Sequence, residues 1–327
     1  MMSEGKTSTP EPEIPVTIAM SSGLLFKQEQ QGYGPAFKFV EALKAVNAEL
    51  TNHYPDSEEL FKVKLINDSS SSDFLKDRIS EHGLEELITL LPVTEDQLVN
   101  ELKNNNTHLY LSDEPGLKVQ EALNEGVAAA IMFTPTNIIT ESENQLRVAF
   151  DGDAVLFSNE SELVFKSGGL QEYLKNEEQN VENTMNGGPF RGFLKVLIKL
   201  QEKLHNRGLC KKCPIRTYLV TSRGTGCDGY RALNTLHTWG LELDEAVFVG
   251  GADKGPALQS IKPHIFFDDQ QIHVAIALSV GTVACWPEPE IPVTIAMSSG
   301  LLFKQEQQGY GPAFKFVEAL KAVNAEL

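Results

Sequence analysis

The chain has 327 residues, enough for two domains, and its hydrophobic fraction of 41% is that of an ordinary globular protein. A formal net charge of −17 argues against a nucleic-acid-binding surface, which requires a basic stripe. Four cysteines are too few for a disulfide scaffold, and no apolar run suits a membrane span or a signal peptide, so we expect a cytoplasmic protein.

The first half of the chain alternates predicted strands with predicted helices. Residues 1–13 are polar, with Pro and Glu, and we expect them to be disordered. The predicted strands are 14–20, 60–66, 108–112 and 127–133, and the predicted helices are 36–50 and 115–124. Residues 73–104 suggest mixed helical segments. We therefore predict an N-terminal α/β domain at 14–134, followed by a polar linker.

The second half repeats this alternation, and we predict a second domain at 145–286. Its predicted strands are 147–150, 215–220, 246–249 and 264–267, and its predicted helices are 170–178, 190–205, 230–239 and one that opens near 254–256. The alternation predicts a Rossmann-like α/β fold of three layers with a parallel sheet. A helical insertion at about 159–209 is expected to form a cap over the substrate, although it could serve packing alone.

An identical repeat joins the two ends of the chain. Residues 10–50 recur without a change as residues 287–327, an offset of 277. One strand–helix unit can fill its place in a sheet only once, and the first copy leads directly into residue 51. We therefore expect the second copy to be loosely docked; the alternatives are that it displaces the first copy or swaps into another chain.

A fainter repeat relates the two predicted domains. Residues 108–114 resemble 264–270, and in each case a Gly and an apolar strand follow about a dozen residues later. Thr17 to Ser22 likewise resembles Arg147 to Gly152. We hypothesise that residues 14–134 are a degenerate copy of the second domain that has lost its acids, the alternative being a chance likeness of two α/β domains.

Two carboxylates, Asp151 and Asp153, directly follow the apolar run that ends at Phe150. The carboxyl ends of parallel strands form the sheet edge where ligands bind. Paired carboxylates there repel each other unless a cation lies between them, which favours a metal site. Asp151 is the candidate nucleophile, able to form an aspartyl-phosphate, and Asp153 is the candidate acid and base.

Further polar residues follow later predicted strands. Thr221 can donate its hydroxyl to a phosphate oxygen, and Lys254 adds positive charge for the phosphoryl group. Ser222 and Arg223 complete the predicted substrate-binding set with Thr221 and Lys254. Arg223 is as readily interpreted as a solvated loop charge.

The last pair of acids, Asp268 and Asp269, follows the predicted strand 264–267. Mg²⁺ prefers oxygen ligands, and one or both of these carboxylates could hold it together with Asp151 and the main-chain carbonyl of Asp153. Each part alone has an ordinary structural interpretation, such as a turn or a helix cap. The ordered set on successive strands is far more specific, and it predicts a phosphoryl-transfer hydrolase.

This ordered set also resembles a known family. Phe150 to Asp153, Thr221, Lys254 and Phe267 to Asp269 are similar, in this order, to the four motifs of the haloacid dehalogenase superfamily of phosphohydrolases. The longer stretches that carry them resemble the type I cytosolic 5′-nucleotidases; these stretches are 145–158, 213–221 and 262–270.

The resemblance implies Mg²⁺-dependent hydrolysis of nucleoside 5′-monophosphates, AMP foremost, in the cytosol. It further implies ADP as an activator and a homo-oligomer. Residues 66–100 depart from the family pattern, which puts in doubt any nucleoside or ADP contact from the first domain. Two alternatives stay open: a phosphatase of the same superfamily for sugar phosphates or other small substrates, and a non-catalytic nucleotide-binding regulatory protein.

Overall fold

The computed structural model describes residues 14–27, 32–67, 72–139 and 145–287, and the backbone of 303–304 and 309–310. The described residues up to 287 belong to one compact unit, and the four beyond residue 300 belong to another. The tail predicted to be disordered, 1–13, and most of the second copy of the repeat lie outside the described residues.

The first half of the main unit contains seven strands and four helices among its described residues. The strands are β1 (Val16–Ser21), β2 (Phe26–Lys27), β3 (Gly32–Tyr33), β4 (Phe61–Asn67), β5 (Ile88–Pro92), β6 (Thr107–Ser112) and β7 (Ala128–Phe133). The helices are α1 (Phe37–His53), α2 (Ser72–Glu81), α3 (Leu98–Asn104) and α4 (Leu117–Asn124). Strand β5 lies where only helical segments were expected, because a short apolar run suits a strand and a helix equally well.

The second half of the main unit follows the linker. Its strands are β8 (Leu146–Phe150), β9 (Ile215–Thr221), β10 (Glu245–Phe248), β11 (Ile265–Phe267) and β12 (Ala284–Trp286). Its helices are α5 (Glu160–Gln179), α6 (Arg191–His205), α7 (Cys227–Thr238), α8 (Gly255–Ile261) and α9 (Gln271–Ser279).

Ten of these strands form one sheet, in the order β10-β9-β8-β11-β12-β7-β6-β1-β4-β5. Every neighbouring pair is parallel except β12 and β7, which are antiparallel. The predicted α/β fold with a mainly parallel sheet is therefore confirmed, but the two predicted domains share one continuous sheet. Because β7 and β12 run in opposite directions, the strands of the two halves end at opposite edges of this sheet.

The two halves have the same topology. The main strands of the first half, in chain order, are β1, β4, β5, β6 and β7, and those of the second half are β8 to β12. From the central β7–β12 pair outward, each half of the sheet contains its fifth, fourth, first, second and third main strand in that order. The registers also agree, since Met20 pairs with Leu111 as Phe150 pairs with Phe267. This agreement supports the hypothesis of a degenerate copy, which stays a proposal.

Polar contacts at equivalent positions also agree between the two halves. The backbone N–H of Thr17 donates to Nδ1 of His108 at 3.2 Å, and that of Arg147 donates to Nδ1 of His264 at 3.1 Å. The two histidines thus tie the first strand of each half to the start of its fourth strand.

The long helices α1 and α6 show the same correspondence. The side-chain amide of Asn47 in α1 donates to the Phe61 carbonyl at 2.9 Å, and that of Gln201 in α6 donates to the Ile215 carbonyl at 3.0 Å. In both halves the acceptor is the first residue of the second main strand. Helix α6 packs on β9 with its apolar face in the core.

Apolar residues cover both faces of the sheet. In β8, Val148 and Phe150 face the core cluster that contains α1 and α6, whereas Ala149 faces the cluster that contains α8 and α9. A parallel strand with both faces buried reads as an unbroken apolar run, which is why the strands before the acids could be found in the sequence.

The described residues of the second unit form one short hairpin. Phe303–Lys304 pairs antiparallel with Gly309–Tyr310, as Phe26–Lys27 pairs with Gly32–Tyr33 in the first copy. Identical sequences therefore adopt the same hairpin pairing. Among the described residues of the whole chain, no helix is long and apolar enough to cross a membrane.

Candidate active site

Three strand ends bring the predicted acids and Thr221 to one edge of the sheet. Phe150, the last residue of β8, pairs with Phe267 of β11 and with Leu219 of β9. Asp151 therefore lies between the ends of these two strands, and its backbone N–H donates to the Phe267 carbonyl at 2.8 Å. This places it at the carboxyl edge, between the first and fourth strands of the half-sheet, where ligands of open α/β sheets bind.

The turn after Asp151 is tight. A Cβ atom on Gly152 would lie 3.1 Å from Oγ1 of Thr221, so the hydroxyl approaches the backbone of this turn closely. Ala154 has φ of 58°, in the left-handed region that residues with a side chain rarely adopt. Such strain costs about 1–3 kcal/mol and is typical of functional sites, where the surrounding packing maintains it.

Lys254 lies between two of the acids. Its Nζ is 2.7 Å from Oδ1 of Asp151 and 2.7 Å from Oδ2 of Asp268, and its side chain is completely buried. The loops after β9 and β10 are joined by hydrogen bonds from the N–H groups of Gly250 and Gly251 to carbonyls of the neighbouring loop. These bonds help to hold Lys254 over the strand ends.

Burial and charge act in opposite directions on these groups. Burial raises the pKa of Asp151 to about 7, although the ammonium of Lys254 acts to lower it. Burial would likewise raise the pKa of Asp268, but Lys254 and the ring of His273 outweigh it and lower that pKa. Burial also raises the pKa of Asp269, to about 10, with a further contribution from the negative charge of Asp151. The edge therefore carries more buried acid than Lys254 alone neutralises.

This excess of acid suits a divalent cation. Ligand atoms of Asp151, Asp268 and His273 lie within 4.8 Å of one another. Oδ1 of Asp269 is buried and has no hydrogen-bond partner among the described residues, so it is available to a cation or its water. The carboxylate set suits Mg²⁺, whereas the His273 nitrogen, which lies 3.1 Å from Asp268, is better suited to orient that carboxylate.

The remaining predicted residues lie around this cluster. The carboxylate of Asp153 is outside the set of clustered side-chain ligand atoms and accepts two hydrogen bonds from Arg223. Arg223, predicted to bind substrate, is only 2% exposed and is fully engaged by protein groups. Ser222 is half-buried and lies beside Thr221 at the edge.

Two polar residues of the site were missed in the sequence. His273 lies in the first turn of α9, and its spacing of five residues from Asp268 is the signal that could have indicated it. Glu177 of α5 is buried against Arg223 at 2.7 Å, but the sequence around it reads as a solvated polar helix. No local pattern distinguishes it from its exposed acidic neighbours.

Comparisons with known proteins show the family to which the chain belongs. The chain matches the sequence profile of a family described as 5′-nucleotidase over residues 25–289. It is also 40% identical, over 304 residues, to human cytosolic 5′-nucleotidase 1B. That similarity covers 85% of this chain and 49% of the human protein, so the chain corresponds to about half the length of this relative. The match spans most of the chain and all of the candidate site, and the chain belongs to the 5′-nucleotidase family.

Proposed function

We propose that the protein hydrolyses nucleoside 5′-monophosphates, AMP foremost, to nucleoside and phosphate in a Mg²⁺-dependent reaction. The observation that carries the proposal is the meeting of Asp151, Lys254 and Asp268 at the carboxyl edge of β8 and β11, with 2.7 Å between the ammonium and each carboxylate. Family membership supports a nucleotidase reaction, and the human relative is likewise named a 5′-nucleotidase.

In the first step an oxygen of Asp151 attacks the phosphorus atom and forms an aspartyl-phosphate. The bond between phosphorus and the bridging 5′-oxygen breaks, and Asp153 in its acid form gives its proton to the departing alkoxide. In the second step Asp153 takes a proton from water, which attacks the phosphorus atom. The bond to the Asp151 oxygen then breaks, and inorganic phosphate leaves.

The remaining residues bind and orient the phosphoryl group. The hydroxyl groups of Thr221 and Ser222 donate to its oxygens, and Lys254 offsets their charge. Asp151, Asp268 and Asp269, with the main-chain carbonyl of Asp153, would hold Mg²⁺. When bound, this cation supplies positive charge that favours the ionised form of the nucleophile and offsets charge on the phosphoryl oxygens.

The second half of the sheet is proposed to be a haloacid dehalogenase-like fold, and α5 its cap. Helix α5 follows the first motif directly and packs against α7 beside the candidate site. A helix there can cover the substrate and exclude water from the aspartyl-phosphate.

Three further properties stay proposals that rest on the family resemblance. We propose a cytosolic location, activation by ADP, and a homo-oligomeric state. The human relative is named as a cytosolic enzyme, which supports the first. Titration of the turnover rate with ADP and the mass of the particle in solution test the other two.

The proposed function is tested by phosphate release from AMP, IMP, CMP and a sugar phosphate, with Mg²⁺ and with a chelator. We expect turnover of the nucleotides, AMP fastest, and loss of turnover with the chelator. Preference for the sugar phosphate would support the other phosphatase interpretation. A folded protein that turns over none of the four would contradict catalysis and favour the regulatory, nucleotide-binding interpretation.

A further inference from the structure

The carboxylate of Asp153 is held by two parallel hydrogen bonds from one guanidinium group. Nε of Arg223 donates to Oδ2 at 2.9 Å, and Nη2 donates to Oδ1 at 2.7 Å. A two-pronged contact of this kind fixes both the position and the plane of the carboxylate, which a single hydrogen bond cannot do. Arg223 therefore controls where the two carboxylate oxygens of Asp153 point.

The opposite side of the same guanidinium contacts the helix proposed as the cap. Nη1 of Arg223 donates to Oε2 of Glu177 in α5 at 2.7 Å and to the Asp228 carbonyl at 3.0 Å. Nη2 also donates to Oγ of Ser161 in α5 at 2.9 Å. Because Arg223 and Glu177 are both buried, water does not screen this contact, and a shift of α5 would move the guanidinium.

We propose that Arg223 is a positioning residue that orients Asp153 for proton transfer and, through Glu177, makes this orientation depend on the position of α5. The inference rests on the proposed function, because it assigns a task to Arg223 within that reaction. It also replaces the expectation that Arg223 binds substrate, since its donors are engaged by Asp153, α5 and the Asp228 carbonyl.

A second arginine provides a matched control. Arg231 in α7 donates to the same Glu177 at 2.9 Å and to Glu160 at 2.7 Å, so it holds α5 by contacts of the same kind. Arg231 makes no hydrogen bond or ion pair with Asp153 among the contacts of the described residues. A purely structural role of the buried ion pairs would be lost equally in either arginine variant.

Proton donation by Asp153 can be isolated by choice of substrate. AMP needs a proton on its departing 5′-oxygen, because an alkoxide is a poor leaving group. The analogue with sulfur in place of that bridging oxygen releases a thiolate, which departs without a proton. The two substrates share their nucleoside and phosphoryl groups, so the ratio of their kcat/KM values reports proton donation alone. The ratio is also independent of the fraction of protein that is folded.

The experiment compares Arg223→Lys, Arg231→Lys and Glu177→Gln with the wild-type chain on both substrates. We expect Arg223→Lys to lower kcat/KM for AMP by about 100-fold relative to that for the sulfur analogue. Arg231→Lys should shift the ratio much less than Arg223→Lys, because Arg231 affects Asp153 only through Glu177 and α5. Glu177→Gln should shift the ratio in the direction of Arg223→Lys but by less.

Each other outcome has a defined meaning. An unchanged ratio in Arg223→Lys, or an equal shift in Arg231→Lys, would overturn the positioning role. A shift in Arg223→Lys with no shift in Glu177→Gln would overturn the coupling to α5. A folded wild-type chain that hydrolyses neither substrate would instead overturn the proposed function, and this inference with it.

Discussion

The two halves of the sheet share their strand order but present different side chains at equivalent carboxyl edges. Ser21 occupies the position of Asp151, Ser112 that of Asp268, and Asn67 that of Thr221, as the strand registers show. A cavity of ≈ 540 Å³ lies at the edge of the first half, lined by these three polar residues among others.

The backbone that the two halves share does not by itself account for the chemistry of the second half. Both halves have the same strand order, and in both a histidine accepts a hydrogen bond from the backbone of the first strand. These shared features therefore serve to build an α/β half-sheet. Among the described residues, only the second half combines buried carboxylates with a buried lysine at its carboxyl edge. Phosphoryl-transfer chemistry is therefore expected in the second half alone, and the substitutions below probe that division.

The largest expected effect comes from the paired positions Asp151 and Ser21. Asp151→Asn removes the proposed nucleophile and should lower kcat for AMP by at least about a thousandfold. Ser21→Ala changes the equivalent position of the first half and should leave kcat within about twofold. Phosphate release from AMP, measured with both variants, tests these two expectations. A similar loss in both would contradict a single active site in the second half.

Stability should respond next most strongly to Lys254. Lys254→Met leaves two buried carboxylates without their cation and should lower the free energy of unfolding by about 3–5 kcal/mol. Lys118→Met removes the partner of Glu121 beside the first-half cavity, where the pair is partly exposed, and should cost at most about 0.5 kcal/mol. Urea denaturation with a chelator present measures the free energy of unfolding of both variants. Equal decreases would show that the carboxyl edges of the two halves do not differ in their electrostatics.

Substitution of Gly34 and of Gly188 should have similar effects on stability, because each glycine lies against a backbone carbonyl group. A Cβ on Gly34 would meet the Leu24 carbonyl oxygen, and one on Gly188 would meet the Phe157 carbonyl oxygen. Each substitution by Ala should therefore cost about 1–3 kcal/mol of unfolding free energy. Strongly unequal losses would weaken the equivalence of the halves.

The repeated segment supplies a control for Gly34. Gly311 is the same residue in the second copy, and Gly311→Ala should cost at most about 0.5 kcal/mol, because the described sheet contains the first copy. A loss as large as that of Gly34→Ala would instead indicate that the second copy can occupy the sheet.

The smallest expected effect concerns pH and His108. Burial lowers the pKa of His108, so the folded chain takes up its proton at lower pH than the unfolded chain, whose histidine titrates near pH 6.5. The contribution of His108 to stability is therefore complete above about pH 6.5 and is lost as pH falls towards the folded pKa. Urea denaturation at pH 7.5 and 5.5 should show a smaller decrease for His108→Gln than for wild type. An identical decrease would contradict this assignment.

Much of the site could be predicted because its residues follow apolar strands. Asp151, Thr221 and Asp268 each occupy the end of a buried run or the next position, and parallel strands bring such ends together. The position of a residue at a strand end does not show which groups a long side chain will contact. Arg223 lies 70 residues from Asp153 and 46 from Glu177, and its buried role follows only from the packing of α5.

The order of the strands was also beyond the sequence pattern. Periodicity predicts where a strand lies but not its neighbour, so the antiparallel pairing of β7 with β12 could not be foreseen. Strand β5 was missed for a related reason, since Ile88–Pro92 contains only five residues and its alternation is weak.

The antiparallel contact of β7 and β12 also bears on the origin of the chain. Pairing of like edges in opposite directions is how two identical subunits related by a two-fold axis join their sheets. In the proposed duplication the chain is thus a fused counterpart of such a dimer, in which a covalent linker has made the partner permanent. Once joined, one half can lose its acids through mutation and still serve as the neighbour that covers the β12 edge of the other.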